Sequence, residues 1–282
     1  MKVRLHKRIT RSIRSHFRSK ILANHGIGVV AATRNGTLVI DPGDFNVSRH
    51  LLNRGEYDWP EVTLLSRFVS ATSRIVFVGA HIGALLVPIV RAAGTRSVIA
   101  YEPSPRNYRM LQLNLQLNDI EGVAAENVAV GAVPGTVRFT ENRINTGNSR
   151  VSRETGEIEV AVRTLDSTLP LAWEMIDLMV MDVEGFEVNA MRGAPQTLAK
   201  TQRFYVEFAP EQLIEQGSTV EEFVDLAASQ FVSAYVIGRT IRYLPPGEFP
   251  AFLRGLPKRR GLLLNLLFTR ESKPDPGIEV EL

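Results

Sequence analysis

The sequence predicts an α/β fold, a mostly parallel sheet with helices on both faces and antiparallel strands at one edge. Three observations carry this reading. RIVFVGA, SVIAYEP, IDLMVMDVEG and RFYVEFAP are short apolar runs that stop at glycine, proline or an acid, as strands buried on both faces do. Between them lie stretches whose apolar residues recur at helical spacing. Near the C-terminus FVSAYVIG, TIRYLP and GLLLNLLFTR follow one another without full helices between them, which suits antiparallel pairing.

In chain order, residues 1–30 read as a basic extension and residues 31–60 as a short cap region, with the main domain over 61–282. Asn35-Gly36, Asp41-Pro42-Gly43 and Arg54-Gly55 are turn signals within the first sixty residues. EVTLLSRFVS places Val62, Leu65, Phe68 and Val69 on one helical face, and RIVFVGA is the first core strand. GALLVPIVRAAG is a helix ending at Gly94, in which Pro88 requires a kink or a late start. SVIAYEP is the second core strand, and PRNYRMLQLNLQLN carries Tyr108, Leu111, Leu115 and Leu117 at near-helical spacing. VAAENVAVGA, Pro134-Gly135 and TVRFT predict a strand, a turn and a returning strand. Residues 140–163, rich in Asn, Gly, Ser and Arg, are expected to be an irregular insertion. IDLMVMDVEG is a strand followed by a helix through Met191, RFYVEFAP a further strand, and VEEFVDLAASQ a helix.

Composition narrows the function classes. The 282 residues are 44% apolar and 22% charged, ordinary values for a globular protein with a sizeable core. With no cysteine there are no disulfides, thiolate metal sites or cysteine nucleophile, which fits a cytoplasmic location. The first twenty residues hold Lys2, Arg4, Lys7, Arg8, Arg11, Arg14, Arg18 and Lys20, and no acid precedes Asp41. The rest of the chain then carries 25 basic and 30 acidic residues, so the basic character belongs to an arm. We read that arm as a solvated extension, with an anionic membrane surface or a phosphate backbone as its alternative partners. It lacks the apolar run and cleavage site of a secretory signal, and no segment has the uninterrupted apolar length of a membrane span.

In such a sheet, ligands bind at the carboxyl ends of the strands, so the residues just past each apolar run are the candidates. Gly79-Ala80-His81-Ile82-Gly83 follows the first run; glycines there let backbone approach a ligand, or simply make a tight turn. His81 occupies the second glycine position of a dinucleotide fingerprint, which disfavours a nicotinamide cofactor. Glu102 closes the second strand, where an acid accepts hydrogen bonds from ribose hydroxyls, or caps the helix beginning near Ser104. Asp182 and Glu184 follow the IDLMVM run. Two carboxylates at i and i+2 beyond a strand are expected to line a cleft, the alternative being a capping role for Glu184. Glu207 is similarly placed.

Taken in order, FVGAHIG, YEPSPRNYRMLQLNLQLN, NVAVGAVPG, TGNSR, VRTLDSTL, IDLMVMDVEGFEVNAMRGA and FYVEF resemble the FkbM-like methyltransferases over roughly residues 62–210. The resemblance implies a class I, Rossmann-like methyltransferase fold with a seven-stranded sheet. It implies S-adenosylmethionine as methyl donor and O-methylation of natural products or sugars. By position, Gly79, Ala80, His81 and Gly83 would surround the methionine part of the donor, Glu102 would hold its ribose, and Asn127 would lie near the adenine. Asp182 and Glu184 match the family's acidic motif. The sequence departs from the pattern at Phe77, where an acid is usual, at His81, where Asn is usual, and at Met181, where a basic residue often stands.

The chemistry expected is an in-line displacement at a sulfonium, which needs alignment and a base for the hydroxyl proton. Asp182, His81 and Glu184 are the catalytic candidates. Mg²⁺ held by Asp182, Glu184 and Glu207 is possible but not favoured, because the two carboxylates of the motif are expected to diverge. The expected partner is a small-molecule hydroxyl acceptor. The rival readings are an RNA methyltransferase guided by the basic arm, and a donor-fold binding module without turnover.

Overall fold

A computed structural model describes residues 28–140, 150–152, 158–257 and 261–279; the basic arm, residues 1–27, lies outside them. The chain opens with a hairpin, β1 (Val29–Thr33) and β2 (Gly36–Ile40), turned at Arg34-Asn35 and paired antiparallel. Two helices follow, α1 (Val47–Arg54) and α2 (Trp59–Ser66). The region expected to be an extension and cap is therefore built structure from residue 29 onward. Its attachment is specific. Asn118 and Asn114, one turn apart on α4 (Pro105–Leu117) and at its C-cap, serve as a partner strand for the free edge of β2. The Thr37 amide donates to Asn118 Oδ1 (3.0 Å) and the Val39 amide to Asn114 Oδ1 (2.5 Å), while the two amide nitrogens donate back to the Thr37 and Val39 carbonyls. An edge strand presents unpaired backbone groups on alternate residues, and two amides at i and i+4 match that spacing.

The predicted apolar runs form the sheet. β3 (Arg74–Val78) pairs parallel with β4 (Ser97–Tyr101), and β4 with β5 (Val123–Glu126). α3 (Leu86–Ala93) separates β3 from β4; it starts late, with Pro88 in its first turn, and ends at Gly94 in a left-handed cap (φ 69°). α4 begins at Ser104, whose hydroxyl accepts from the Asn107 amide, with Pro105 at its first position.

After β5 the chain departs from expectation. VAAENVAV breaks at Asn127, so that β5 stays in the main sheet while β6 (Ala129–Val130) and β7 (Gly135–Thr140) join a second one. β7 does not return along β5: it pairs antiparallel with β8 (Arg150–Ser152) and β9 (Ile158–Arg163), and β6 pairs parallel with β9. The insertion expected to be irregular thus contains two strands. IEVAVR alternates exposed and buried residues as a half-covered strand does, and Val160, Val162 and Phe139 form a small core of their own.

A short helix α5 (Leu165–Thr168) leads to β10 (Ile176–Met181), then α6 (Glu187–Arg192), α7 (Pro195–Lys200) and β11 (Thr201–Phe208). α8 (Pro210–Glu215), α9 (Val220–Ala228), β12 (Ser233–Ile237), β13 (Ile241–Leu244), α10 (Glu248–Arg254) and β14 (Leu264–Thr269) complete the chain. The main sheet runs β13-β12-β14-β11-β10-β3-β4-β5. It has eight strands, one more than the family resemblance implies, because TIRYLP adds β13 to the edge. β14 is antiparallel to both neighbours and lies two strands in from that edge, between β11 and β12.

Alternation along the strands explains why both faces are covered. Val76 and Val78 of β3 join Met179, Met181, Phe204 and Val206 in one core under α6, α7 and α9. Ile75 and Phe77 join Val98, Ala100, Leu178 and Val180 in the other, under α2, α3 and α4. This is the α/β, Rossmann-like sandwich expected of a parallel sheet. No helix among the described residues is long and apolar enough to cross a membrane.

Candidate active site

β3, β4, β10 and β11 all bring their carboxyl ends to one side, where a cleft encloses about 1090 Å³ of empty space, counting that open to solvent. Gly79, Ala80, His81, Glu102, Asp182, Glu184 and Glu207, all candidates from the sequence, line it. The chain folds this way because β3 and β10 are neighbours and both end in turns that use left-handed backbone. Gly79 has φ 83°, and a Cβ there would lie 1.8 Å from the Asp182 carbonyl oxygen, so only glycine lets the two turns touch. The Gly79 and Ala80 amides both donate to the Tyr101 carbonyl (2.9 Å each), and the Asp182 amide donates to the Val78 carbonyl (3.0 Å).

His81 takes φ 51°, uncommon for a residue with a side chain. Its amide donates to Glu102 Oε2 (2.7 Å), and the Ser104 amide donates to Glu102 Oε1 (2.9 Å). Glu102 is thus a cleft wall and a bracket for two turns at once, only 4% exposed. Burial pushes its carboxyl up to about 7, against the opposing effect of those two amides, with the Asp182 charge adding to the rise. The His81 imidazole is pushed down to about 4 by burial, although the Asp44 charge favours its protonated form. It is neutral at physiological pH.

Two candidates fall elsewhere. Asn127 does not line the cleft; its amide nitrogen donates to the Glu102 and Pro103 carbonyls (2.7 and 3.0 Å), strapping the β4 and β5 ends together. Gly83 sits behind the loop with φ 83°, against Leu111 and Val87 of the helices beneath.

On the acidic turn, burial pushes Asp182 up to about 6, and its Oδ1 is buried with no hydrogen-bond partner. Glu184, at φ 54°, accepts a hydrogen bond from Gln212 Nε2 (2.9 Å). Glu187, inside the motif but not singled out by the sequence reading, is 2% exposed. Its Oε1 accepts from the Gly185 amide (3.1 Å) and weakly from the Val183 amide (3.3 Å), holding the turn shut. Burial pushes Glu187 up to about 7. Burial, then the charges of Asp182, Glu184, Glu187 and Asp58, push Glu207 up to about 10. Among the described residues no group of three or more His, Asp or Glu is arranged to hold a metal ion.

Sequence reasoning missed three walls of the cleft. Tyr57 reaches it from the segment before α2, a stretch read only as turns. Phe139 and Phe186 line it from β7 and the acidic turn, where the inserted sheet closes over the main one. The alternation of IEVAVR was the available signal for that second sheet.

The sequence matches the family described as the Methyltransferase FkbM domain over residues 78–235, more than half of the chain. It is 26% identical over 144 residues to Methyltransferase 1 of Beauveria bassiana, covering 43% of this chain and 58% of that protein. It is 33% identical over 96 residues to the 2-O-methyltransferase NoeI of Sinorhizobium fredii, covering 34% and 39% respectively. The chain spans about half the length of the curated relatives it matches. A solved S-adenosylmethionine-dependent O-methyltransferase of Thermotoga maritima is a distant likeness, with a TM-score of 0.45 and 15% identity over 89% of this chain and 80% of that one. The matched span runs from the last residue of β3 into β12, through every strand end that lines the cleft, and by it the chain belongs to the FkbM methyltransferase family.

Proposed function

We propose that the protein is an S-adenosylmethionine-dependent O-methyltransferase that methylates a hydroxyl of a small molecule, a natural product or a sugar. One observation carries the reading. A buried carboxylate with an unpartnered oxygen, Asp182, stands in a cleft opposite a glycine loop whose backbone comes within contact of its own turn. Membership of a methyltransferase family and the likeness to a 2-O-methyltransferase support the reaction class.

The residues present fit the donor. Glu102 would accept from its ribose hydroxyls, and Gly79, Ala80 and His81 would line its methionine part. The acids around the cleft complement its positive charge. When bound, the donor supplies a methyl group on a sulfonium that leaves as a neutral thioether. This chain's part is alignment and proton removal. Asp182, with its carboxyl raised to about 6, is a stronger base than an ordinary aspartate and is still ionised at pH 7. His81, lowered to about 4, is the weaker base and acts as a neutral hydrogen-bonding wall. Glu184, fixed by Gln212, orients the acceptor.

Transfer from isotopically labelled donor into a metabolite extract, read by mass spectrometry, identifies the acceptor. With that acceptor, Asp182→Asn is expected to lower turnover about 10²-fold while donor binding stays intact. The parent rate should rise through pH about 6, and the variant should lack that limb. Normal turnover of the variant would make Asp182 structural only. Loss of parent activity in EDTA, restored by Mg²⁺, would make Asp182, Glu184 and Glu207 metal ligands instead.

A further inference from the structure

The acidic turn is held from behind by a side chain that does not reach the cleft. Val183, Glu184, Gly185 and Phe186 form a tight turn, closed by the Phe186 amide donating to the Val183 carbonyl (3.2 Å). Both central residues take positive φ, 54° at Glu184 and 95° at Gly185. That is the pattern of a mirror-image turn, which favours glycine, asparagine and aspartate. Gly185 meets the demand, and a Cβ there would also lie 2.5 Å from the Gln212 carbonyl oxygen. Glu184 does not meet it, so its conformation persists only where surrounding contacts impose it.

Glu187 supplies those contacts. From the first residue of α6 its side chain turns back, and Oε1 accepts from the Gly185 amide (3.1 Å) and, at longer range, from the Val183 amide (3.3 Å). The Val183 amide belongs to the peptide leaving Asp182, and the Gly185 amide to the peptide leaving Glu184. One oxygen thus fixes the backbone just past each cleft acid. The turn is tied at two further points, by the Asp182 amide on the Val78 carbonyl (3.0 Å) and by Gln212 Nε2 on the Glu184 carboxylate (2.9 Å). Asp182 and Glu184 line the cleft, whereas Glu187 does not, and it is 2% exposed. Its other oxygen, Oε2, is buried and takes no hydrogen bond. Burying a carboxylate costs free energy, and half of this one is unused, so what the fold gains from Glu187 is the reach of one oxygen to two amides. Across the cleft Glu102 braces the glycine loop in the same manner through the His81 amide, but Glu102 also forms part of the wall.

We propose that Glu187 is a positioning residue for methyl transfer, acting through the Val183 and Gly185 amides to hold Asp182 and Glu184 in the cleft, by the reach of its side chain and not by its charge. The proposal rests on the reading of Asp182 as the base and Glu184 as the group that orients the acceptor. Glu187→Asp and Glu187→Gln separate reach from charge. Aspartate keeps the carboxylate but withdraws it by one methylene. Glutamine keeps the reach and the accepting oxygen, and putting nitrogen in place of Oε2 breaks no hydrogen bond.

Three quantities are measured on the parent and on each variant. They are hydrogen exchange of the Gly185 amide, affinity for S-adenosylhomocysteine by calorimetry, and the maximal rate of label incorporation from S-adenosylmethionine into a metabolite extract. Misplacing a reacting group by about 1 Å costs on the order of 10²-fold in rate. Glu187→Asp should therefore lose at least about tenfold in maximal rate and exchange faster at Gly185, while binding S-adenosylhomocysteine within about threefold of the parent. Glu187→Gln should keep the slow exchange and recover the rate to within about threefold of the parent. An aspartate variant as active as the parent overturns the proposal. So does a glutamine variant as slow as the aspartate one, which would give the role to the charge. If the parent incorporates no label, the methyl-transfer reading itself fails. The bracing of the turn is then decided by exchange alone, and equal Gly185 exchange in parent and both variants overturns it.

Discussion

Glu102→Ala separates the binding role of the bracket carboxylate from its structural one. From sequence alone Glu102 looks like a surface cleft residue whose loss would spare the fold. The structure buries it to 4% exposure and hangs two backbone amides on it, those of His81 and Ser104. Removing the carboxylate strands both amides, at about 1–3 kcal/mol each. Against this stands the cost of keeping the carboxylate ionised in place. A rise from 4.5 to about 7 corresponds to about 3 kcal/mol at pH above 7. The two effects nearly cancel, so stability at pH 7.5 should fall by no more than about 3 kcal/mol. Donor binding has no such offset. Two hydrogen bonds from ribose hydroxyls to a charged acceptor are worth about 1.5–3 kcal/mol each, so affinity should drop at least about 100-fold. Urea unfolding and calorimetry with S-adenosylmethionine measure the two quantities. Glu102→Gln, which keeps one accepting oxygen for the loop, should bind more tightly than Glu102→Ala. A folded Glu102→Ala variant that binds the donor within about threefold of the parent would refute the ribose assignment.

Two further outcomes follow from the same geometry. Asn114→Ala should destabilise the protein by about 2–5 kcal/mol, because it strands the buried Val39 amide and the Val39 and Ile82 carbonyls together; amide exchange at Val39 should rise with it, and unchanged protection there would show that the hairpin holds without α4. The protein without ligand should lose stability as pH rises from about 4 to 8. Asp58, Glu102, Asp182 and Glu187 are raised to about 6, 7, 6 and 7, so the folded state keeps protons that the unfolded chain has already released, and Glu207, raised to about 10, extends the loss further. Thermal melts across that range check the sign, and a Tm that climbs steadily from pH 5 to 8 would contradict the burial of these carboxyls.

The parallel sheet was legible because its signal is local. β3, β4 and β10 each carry an apolar run of at least four residues that stops at glycine or an acid, and strands buried on both faces need no partner to be recognised. The hairpin and the inserted sheet escaped for the opposite reason. VVAAT and GTLVI are only five residues each, VVAAT is half exposed, and β2 is stabilised by Asn114 and Asn118, some eighty residues further along the chain. No window of sequence contains that pairing. The hydrogen bonds of Asn127 were hidden in the same way. Its position in the chain suggested a ligand contact, and its side-chain nitrogen also donates to two carbonyls just past the end of β4.

The site shows the same division between residue types and their physical state. Gly79, Glu102 and Asp182 were legible as cleft residues because strand ends in this topology converge on one side. Their electrostatic character was not, since it comes from groups far apart in sequence. Phe77, at the position where the family resemblance implies an acid, is buried in the core beneath the glycine loop. An acid there would have to be desolvated beneath α3, among Ile75, Val98 and Val180.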